Sequence, residues 1–253
     1  APDILAKISA NQYWTDAVAA PLAPELFVHK ITVPTFLAGS WQDEQTGGYF
    51  ANLFDNFTHV KHAYFTATNG NHTDPLGPAI FERWYEFLSI YVAHAVPKLP
   101  PAAPLLLSAV GSSVFGTTDL QLPPDRFAGI TDYAQAKALY ERDPRVRILL
   151  DNGAGGAPGV PKPAAELDFS SWPVKGTTPT RLFFGPHGTL GNWSPFAIGS
   201  SAYRYDPSSS QVTTVPDGAP DSAIWGVAAA FNWPAPAAGT ALAYQTAPLS
   251  RSE

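Results

Sequence analysis

Cysteine and methionine are both absent from the 253-residue chain. Without cysteine the chain cannot form disulfides, thiolate zinc sites or a cysteine nucleophile, which excludes the protein classes that depend on them. Without methionine there is no initiator residue, and the first residues show no signal peptide with its basic, apolar and cleavage regions. We therefore interpret the sequence as a fragment or a processed chain.

Charge is scarce as well. Only 14% of the residues are charged, against roughly 25% in an average globular domain. The net charge is −6 and there is no run of basic residues, so no nucleic-acid partner is expected. No apolar run approaches the roughly 18 residues that a membrane span needs, so no span is expected either. These features leave the compartment open, whether cytoplasmic or secreted.

Apolar residues, proline, glycine and aromatic residues are plentiful. The chain is 45% hydrophobic and 13% aromatic, with 26 prolines and 20 glycines. This composition is typical of a folded, loop-rich protein with substantial β structure, and the length suits one large domain or two modest ones.

The first hundred residues alternate predicted strands and helices. A continuous apolar run at 31–39 predicts a strand that is covered on both faces, as in a parallel sheet, and 61–68 is predicted as a second short strand. Helices are predicted over 47–57 and 78–96, the second from an apolar stripe of Phe81, Trp84, Tyr85, Leu88, Tyr91 and Val92. The order strand, helix, strand, helix predicts an α/β fold.

The remainder divides into a proline-rich connection and a β-rich region. Residues 98–104 have linker composition, and a short helix with Thr131 as its N-cap is predicted over 132–141. From residue 146, turn-rich sequence predicts a β-sandwich with strands at 146–150, 181–184, 202–205, 211–215 and 241–245. The predicted domains are an α/β domain over 1–100, a linker or helical insertion over 101–145 and an incomplete β-sandwich over 146–253.

An acid and a histidine follow the two predicted strands. Asp43 lies just beyond the Gly39 that closes the first strand, and His72 lies in the Gly- and Asn-rich turn after the second. The carboxyl ends of parallel strands are where catalytic groups gather, and histidine can act as a general base near neutral pH. Acid before histidine is also the chain order of an α/β-hydrolase triad, in which the serine comes first. Glu44 is the rival for the acid role.

The serine nucleophile has no clear candidate. No Gly-x-Ser-x-Gly motif is present, and Ser112 and Ser113 have the wrong spacing and follow His72, out of chain order. The triad order therefore predicts the serine on a segment preceding Ala1, which this chain does not contain.

Other polar groups give weaker signals. His59 and His62 have no obvious third ligand, so neither a metal site nor a cofactor is expected. The alternative outside the enzymes is a non-catalytic β-rich binding or accessory module, in which Asp43 and His72 are incidental. The distance between these two side chains discriminates between the hypotheses.

Both halves of the chain contain segments that resemble the cocaine esterase and X-prolyl dipeptidyl peptidase family of serine hydrolases. Ile31-Thr-Val-Pro followed by Ser40-Trp-Gln-Asp43 is similar to that family's Ile-x-Val-Pro strand and Gly-Trp-x-Asp motif, with Ser40 in place of the glycine. In the C-terminal half, Pro144-Arg-Val-Arg and Tyr203-Arg-Tyr-Asp-Pro207 resemble strands of the family's jelly-roll domain.

The resemblance implies the C-terminal part of an α/β-hydrolase catalytic domain running into a partial jelly-roll β-sandwich. It implies a serine esterase or an X-prolyl exopeptidase in which Asp43 and His72 are catalytic and Trp41 contacts the substrate. The implied partners are a small ester or peptide substrate and the N-terminal hydrolase segment of the same protein, which carries the serine. The isolated chain is then expected to be inactive.

Overall fold

A computed structural model describes residues 3–13, 15–43, 45–150, 160–196, 198–206 and 237–250. The chain separates into two units, residues 1–175 and 176–253. Among the described residues, no helix is long and apolar enough to cross a membrane.

The first unit contains five α-helices and four strands among its described residues. In chain order they are α1 (Ile4–Ala10), α2 (Asp16–Ala19), β1 (Thr35–Ser40), β2 (Ala63–Thr68), α3 (Pro78–Tyr91), α4 (Ala103–Val110), α5 (Tyr133–Tyr140), β3 (Val146–Leu150) and β4 (Ala165–Phe169). Short 3₁₀ turns lie between α2 and β1 and after β2, and a longer 3₁₀ segment covers Gly48–Asn56.

The four strands form one mixed sheet in the order β1-β2-β3-β4. β1 and β2 are parallel from Thr35 opposite Ala63 to Ser40 opposite Thr68, and β3 runs parallel on the other side of β2. β4 pairs antiparallel with β3. The expected α/β class is thus observed at this level, as a mostly parallel sheet with helices between its strands.

The first strand begins later than predicted. Pro34 cannot donate to a ladder, and β1 starts at Thr35, whose backbone N–H donates to the carbonyl of His62 at 2.9 Å. Every residue of β2 is buried, which fits its apolar sequence and its place between two parallel neighbours.

One face of the sheet packs against the segment before β2. Phe54 stacks on Phe65 of β2 with ring centroids 4.5 Å apart, and Phe57 also contacts Phe65. These rings belong to a buried apolar cluster with Val28 and Val146. The segment carrying Phe54 is the 3₁₀ segment Gly48–Asn56, where an α-helix was predicted.

A second apolar cluster involves α3 and α5. Phe87, Ile90 and Tyr140 are buried there with Tyr64 of β2. α3 ends at Tyr91, short of the predicted end at residue 96. His94 has a left-handed backbone with φ of 50°, which an α-helix cannot contain.

Only part of the predicted apolar stripe of α3 faces the core, where Leu88 and Tyr91 pack against the second apolar cluster. Phe81, Trp84 and Val92 are exposed. The buried positions include two acids, Glu82 and Glu86, among the residues Pro78, Ile80, Glu82, Glu86, Phe87, Ser89 and Ile90. The prediction was wrong at these positions because hydrophobic spacing does not register an acid such as Glu86, which is buried against Arg126.

An ion cluster, defined as Arg83, Glu86, Arg126 and Asp143, explains part of this burial. Arg126 donates to both carboxylate oxygens of Glu86 and to both of Asp143. Arg83 donates to Asp143 at 2.8 Å. Glu82 lies beside this cluster, and burial followed by the nearby charge of Glu86 raises its pKa to about 7.

Strand 146–150 has a different partner from the one predicted. It was expected to begin the β-sandwich, but it is β3 of the main sheet, and the two units separate at residue 175. β4 was not predicted. Arg147 of β3 donates to both carboxylate oxygens of Glu166 of β4, at 2.6 and 3.0 Å, which links the two strands. The N-cap of α5 is Asp132 rather than the predicted Thr131.

The second unit contains a small antiparallel pair, β5 (Phe183–Phe184) and β6 (Leu190–Gly191). Gln245 adds an isolated bridge to Thr189. Of the strands predicted in this half, residues 202–205 form none and 241–245 form only this bridge. The predicted strand at 211–215 lies outside the described residues. A jelly roll is therefore not shown in this unit.

Candidate active site

Two loops leave the carboxyl edge of the sheet side by side. Beyond Ser40 the parallel ladder continues into the loops, since the N–H of Trp41 donates to the carbonyl of Thr68 at 2.9 Å and that of Gln42 to Gly70 at 3.1 Å. Asp43 follows on the first loop and His72 on the second. The sheet geometry therefore brings the two loops together just before the polar residues appear.

Asp43 and His72 are in direct contact. The Nδ1 atom of His72 lies 2.8 Å from Oδ2 of Asp43, a normal hydrogen-bond distance. The side chain of Asp43 is 9% exposed and that of His72 is 24% exposed. The predicted proximity of these two side chains is confirmed by this distance.

The other oxygen of Asp43 is held by its own loop. Oδ1 accepts the backbone N–H groups of Gln45 at 2.8 Å and Thr46 at 2.7 Å. These bonds close a tight turn in which the carboxylate faces the backbone on one side and the imidazole on the other. The orientation of the carboxylate is therefore fixed independently of His72.

The hydrogen bonds also determine the charge of Asp43. Burial raises its pKa, but the hydrogen bonds from Thr46, His72 and Gln45 outweigh burial and hold the pKa below its ordinary value. An ionised carboxylate only accepts hydrogen bonds, so Nδ1 of His72 is the donor. In the neutral imidazole, Nε2 is then the basic nitrogen, which is the tautomer that a general base requires.

Trp41 lies on the same loop, in a partly buried position. Its ring packs against Phe50, with centroids 6.1 Å apart, and against the apolar cluster of the sheet. Packing accounts for this side chain, and its contact with a substrate stays a prediction. Glu44, the rival acid, lies outside the described residues.

Two buried hydroxyls at this edge were not predicted. Ser40 and Thr68 are partners in the β1–β2 register, both almost fully buried, and their hydroxyl oxygens have no hydrogen-bond partner. Ser40 occupies the position where the resembled motif has glycine, which was the available sequence signal. Because it is buried, Ser40 is not accessible as a nucleophile.

The remaining candidate residues have other partners. The hydroxyl of Ser113, which lies just beyond α4, donates to the carbonyl of Ala109 in that helix at 3.0 Å. Nδ1 of His59 lies 2.6 Å from the carbonyl of His29, and His62 lies 3.4 Å from Glu141. Within the described part of the chain, no group of three or more His, Asp or Glu side chains could hold a metal ion.

A cavity of about 510 Å³ lies at the beginning of α3. Prolines dominate its lining, with Leu120 and Val160 adding apolar surface, and the prolines are Pro78, Pro123, Pro124, Pro161 and Pro163. Neither Asp43 nor His72 lines it. The cavity and the acid–histidine pair are therefore separate features of the first unit.

Comparison with known proteins shows no family for this chain. No protein-family model matches the chain, and no curated protein matches it. A crystal structure of an aminopeptidase from the marine sediment archaeon Thaumarchaeota archaeon is similar over 88% of this chain and 32% of its own chain, with 18% identity and a TM-score of 0.47. This chain thus spans about a third of the length of that aminopeptidase.

Proposed function

We propose that this chain supplies the acid and the base of a serine hydrolase that transfers the acyl group of an ester or amide to water. The observation that carries the proposal is the 2.8 Å contact between Asp43 and Nδ1 of His72. An ionised, hydrogen-bonded acid behind a histidine is the arrangement in which the imidazole takes a proton from a serine hydroxyl. In a non-catalytic module the same contact would only hold the two loops together, and no ester turnover would depend on it.

The reaction then follows in two parts. Nε2 of His72 accepts the serine proton as the serine oxygen attacks the carbonyl carbon, and Asp43 stabilises the imidazolium that forms. The imidazolium next gives its proton to the alcohol or amine, which departs as its bond to the acyl carbon breaks and leaves the acyl group on the serine. His72 then takes a proton from water as the water attacks the acyl-enzyme, and the carboxylic acid product is released from the serine. No cofactor takes part in this scheme.

We propose that the serine comes from a segment of the protein outside these 253 residues. Ser40 is buried, and the hydroxyl of Ser113 donates to the carbonyl of Ala109 in α4. β1 is an edge strand of the described sheet, so its far side is where a further strand carrying a nucleophile would pair. On this proposal the 253-residue chain by itself does not hydrolyse esters such as p-nitrophenyl acetate.

Substitution of the acid tests the proposal. In the full protein, Asp43→Asn is expected to lower turnover of p-nitrophenyl acetate by about 10⁴-fold, since an amide holds the wrong imidazole tautomer. Glu44→Gln, at the neighbouring acid, is the matched control and is expected to leave turnover nearly unchanged. If Glu44→Gln is the damaging change and Asp43→Asn is mild, the acid is wrongly assigned. Esterase activity of the 253-residue chain alone would refute an external serine.

A further inference from the structure

The turn that carries His72 has a second acid beneath it. Asp74 lies on the 3₁₀ turn Asp74–Leu76 and is only 6% exposed. Its Oδ2 accepts a hydrogen bond from the backbone N–H of Asn71 at 3.0 Å. The backbone of Asp74 is bonded in the same turn, since its N–H donates to the carbonyl of Asn71 at 3.1 Å. Asp74 therefore bonds twice to the residue just before His72, although the proton transfers described above do not use it.

The carboxylate of Asp74 packs directly against the backbone of Gly70. A Cβ atom at Gly70 would lie 1.8 Å from Oδ2 of Asp74 and 2.7 Å from its Cγ. The backbone of Gly70 is not in the left-handed region, so glycine is not needed there for its conformation. Glycine is needed because the carboxylate occupies the space that a side chain would fill.

The same turn is bonded to the loop of Asp43. The carbonyl of Gly70 accepts the N–H of Gln42, the residue before Asp43. Gly70 and Asn71 therefore lie between two fixed points, the loop of Asp43 on one side and the carboxylate of Asp74 on the other. His72 is the next residue, and its direction depends on how these two points hold the turn.

We propose that Asp74 is a positioning residue, whose carboxylate against Gly70 and Asn71 holds the turn so that Nδ1 of His72 reaches Asp43. Its catalytic meaning rests on the proposed function, but the positioning itself concerns one hydrogen bond that can be observed without activity. Displacement of a catalytic group by about 1 Å can cost on the order of 10²-fold in rate, so a buried acid of this kind has a large effect without touching substrate.

The hydrogen bond can be followed by NMR in the full protein. Labelling with ¹⁵N-histidine detects the Nδ1 proton of His72 shared with Asp43 as a downfield resonance, which His72→Gln assigns by its loss. Asp74→Ala removes the acceptor of the Asn71 N–H and is expected to abolish or strongly weaken this resonance. Gly70→Ala keeps the Asp74 side chain but puts a methyl group in the space that its carboxylate occupies. The carboxylate must then move, and the resonance is expected to weaken in the same way.

Asp132→Ala is the matched control, because Asp132 also accepts a backbone N–H, that of Gln135 at 2.7 Å, but at the start of α5. It is expected to leave the His72 resonance unchanged. The other histidine resonances report whether each variant is folded, and if Asp74→Ala does not fold, Gly70→Ala decides. A folded variant of Asp74 or Gly70 that keeps the resonance at full intensity overturns the positioning role.

Activity adds a second readout. In the full protein Asp74→Ala is expected to lower kcat by about 10- to 100-fold with little change in KM, because orientation rather than binding is lost. If the unsubstituted protein has no downfield resonance, the Asp43–His72 bond is absent and both proposals fail. If the resonance is present and insensitive to Asp74, only the positioning role fails and the hydrolase proposal stands.

Discussion

The acid–histidine pair and the ion cluster both bury acids beside bases, but they differ in the base they use. Asp43 faces an imidazole, which is neutral or charged near physiological pH. Glu86 and Asp143 face guanidinium groups, which stay charged at any pH at which the protein is folded. The first arrangement is able to move a proton, whereas the second only holds charge.

The two regions also differ in their place in the fold. Asp43 and His72 lie on loops beyond the ends of β1 and β2, with His72 partly exposed. The ion cluster lies between the buried face of α3 and the segments around Arg126 and Asp143, where Glu86 is largely buried. On the proposed function, one region serves reactivity and the other serves stability, and the substitutions below test that division.

The largest effect is expected for His72→Ala. Loss of the base should lower ester turnover of the full protein by several orders of magnitude, as in other triads. Asp43 keeps its hydrogen bonds from Gln45 and Thr46 when His72 is replaced, so the midpoint of thermal unfolding should shift by only a few degrees. Turnover and thermal melts on the same preparation measure both, and a large loss of stability would contradict the division of roles.

Arg126→Met should show the reverse balance of effects, with the larger loss in stability rather than in turnover. Arg83 still contacts Glu86 and Asp143 in this variant, so the unfolding free energy should fall by up to about 3–5 kcal/mol, the cost of removing one partner of a buried ion pair. Urea unfolding measures the change. Arg142→Met is the control, because Arg142 is exposed and its guanidinium donates to a backbone carbonyl, that of Ala138 at 3.3 Å. An equal effect of the two substitutions would show that the ion cluster stabilises the fold no more than an exposed arginine does.

Glu82→Gln tests the acid beside the cluster through pH. Burial raises the pKa of Glu82 to about 7 in the folded chain, above the ordinary value of 4.5. The folded state then binds this proton more tightly than the unfolded state, so its contribution is complete below pH 4.5 and is lost as pH rises through 7. Glu82→Gln should remove that part of the decline in unfolding free energy between pH 4.5 and 7. The exposed Glu25→Gln should leave the decline as it is.

The smallest effect on stability is expected for the exposed N-cap of α5. Asp132→Ala removes the N-cap of α5, which costs about 1 kcal/mol. Thr131→Ala should cost less, because the cap hydrogen bond comes from Asp132. Urea unfolding of both variants measures the difference, and the reverse order would restore Thr131 as the cap.

The sequence was sufficient to predict the acid–histidine contact. Asp43 and His72 each follow an apolar strand, and the carboxyl ends of adjacent parallel strands meet at one edge, so their proximity depends only on the pairing of β1 with β2. Asp74 was not found in this way, because its partners are backbone groups of a turn whose shape is not encoded in residue spacing.

The face of α3 was not predictable from spacing alone. Counting apolar residues favoured Phe81 and Trp84, whereas Glu86 is buried by Arg126, which lies far along the chain. The role of β3 failed for a related reason. Its sequence predicts a strand, but the choice of β2 as neighbour is a long-range pairing that the turns around it do not reveal.

The pairing of β2 with β3 also has a consequence for how the chain folds. α3, α4 and α5 all lie between these two strands, so the central strand gains its second neighbour only when a distant part of the chain arrives. Contacts between distant segments slow folding, because the entropy of loop closure must be overcome before they form. Until then β2, which contains Phe65, has one unpaired edge and exposed apolar side chains, and such partly folded states aggregate readily. We therefore expect slow refolding, with yields that fall as protein concentration rises.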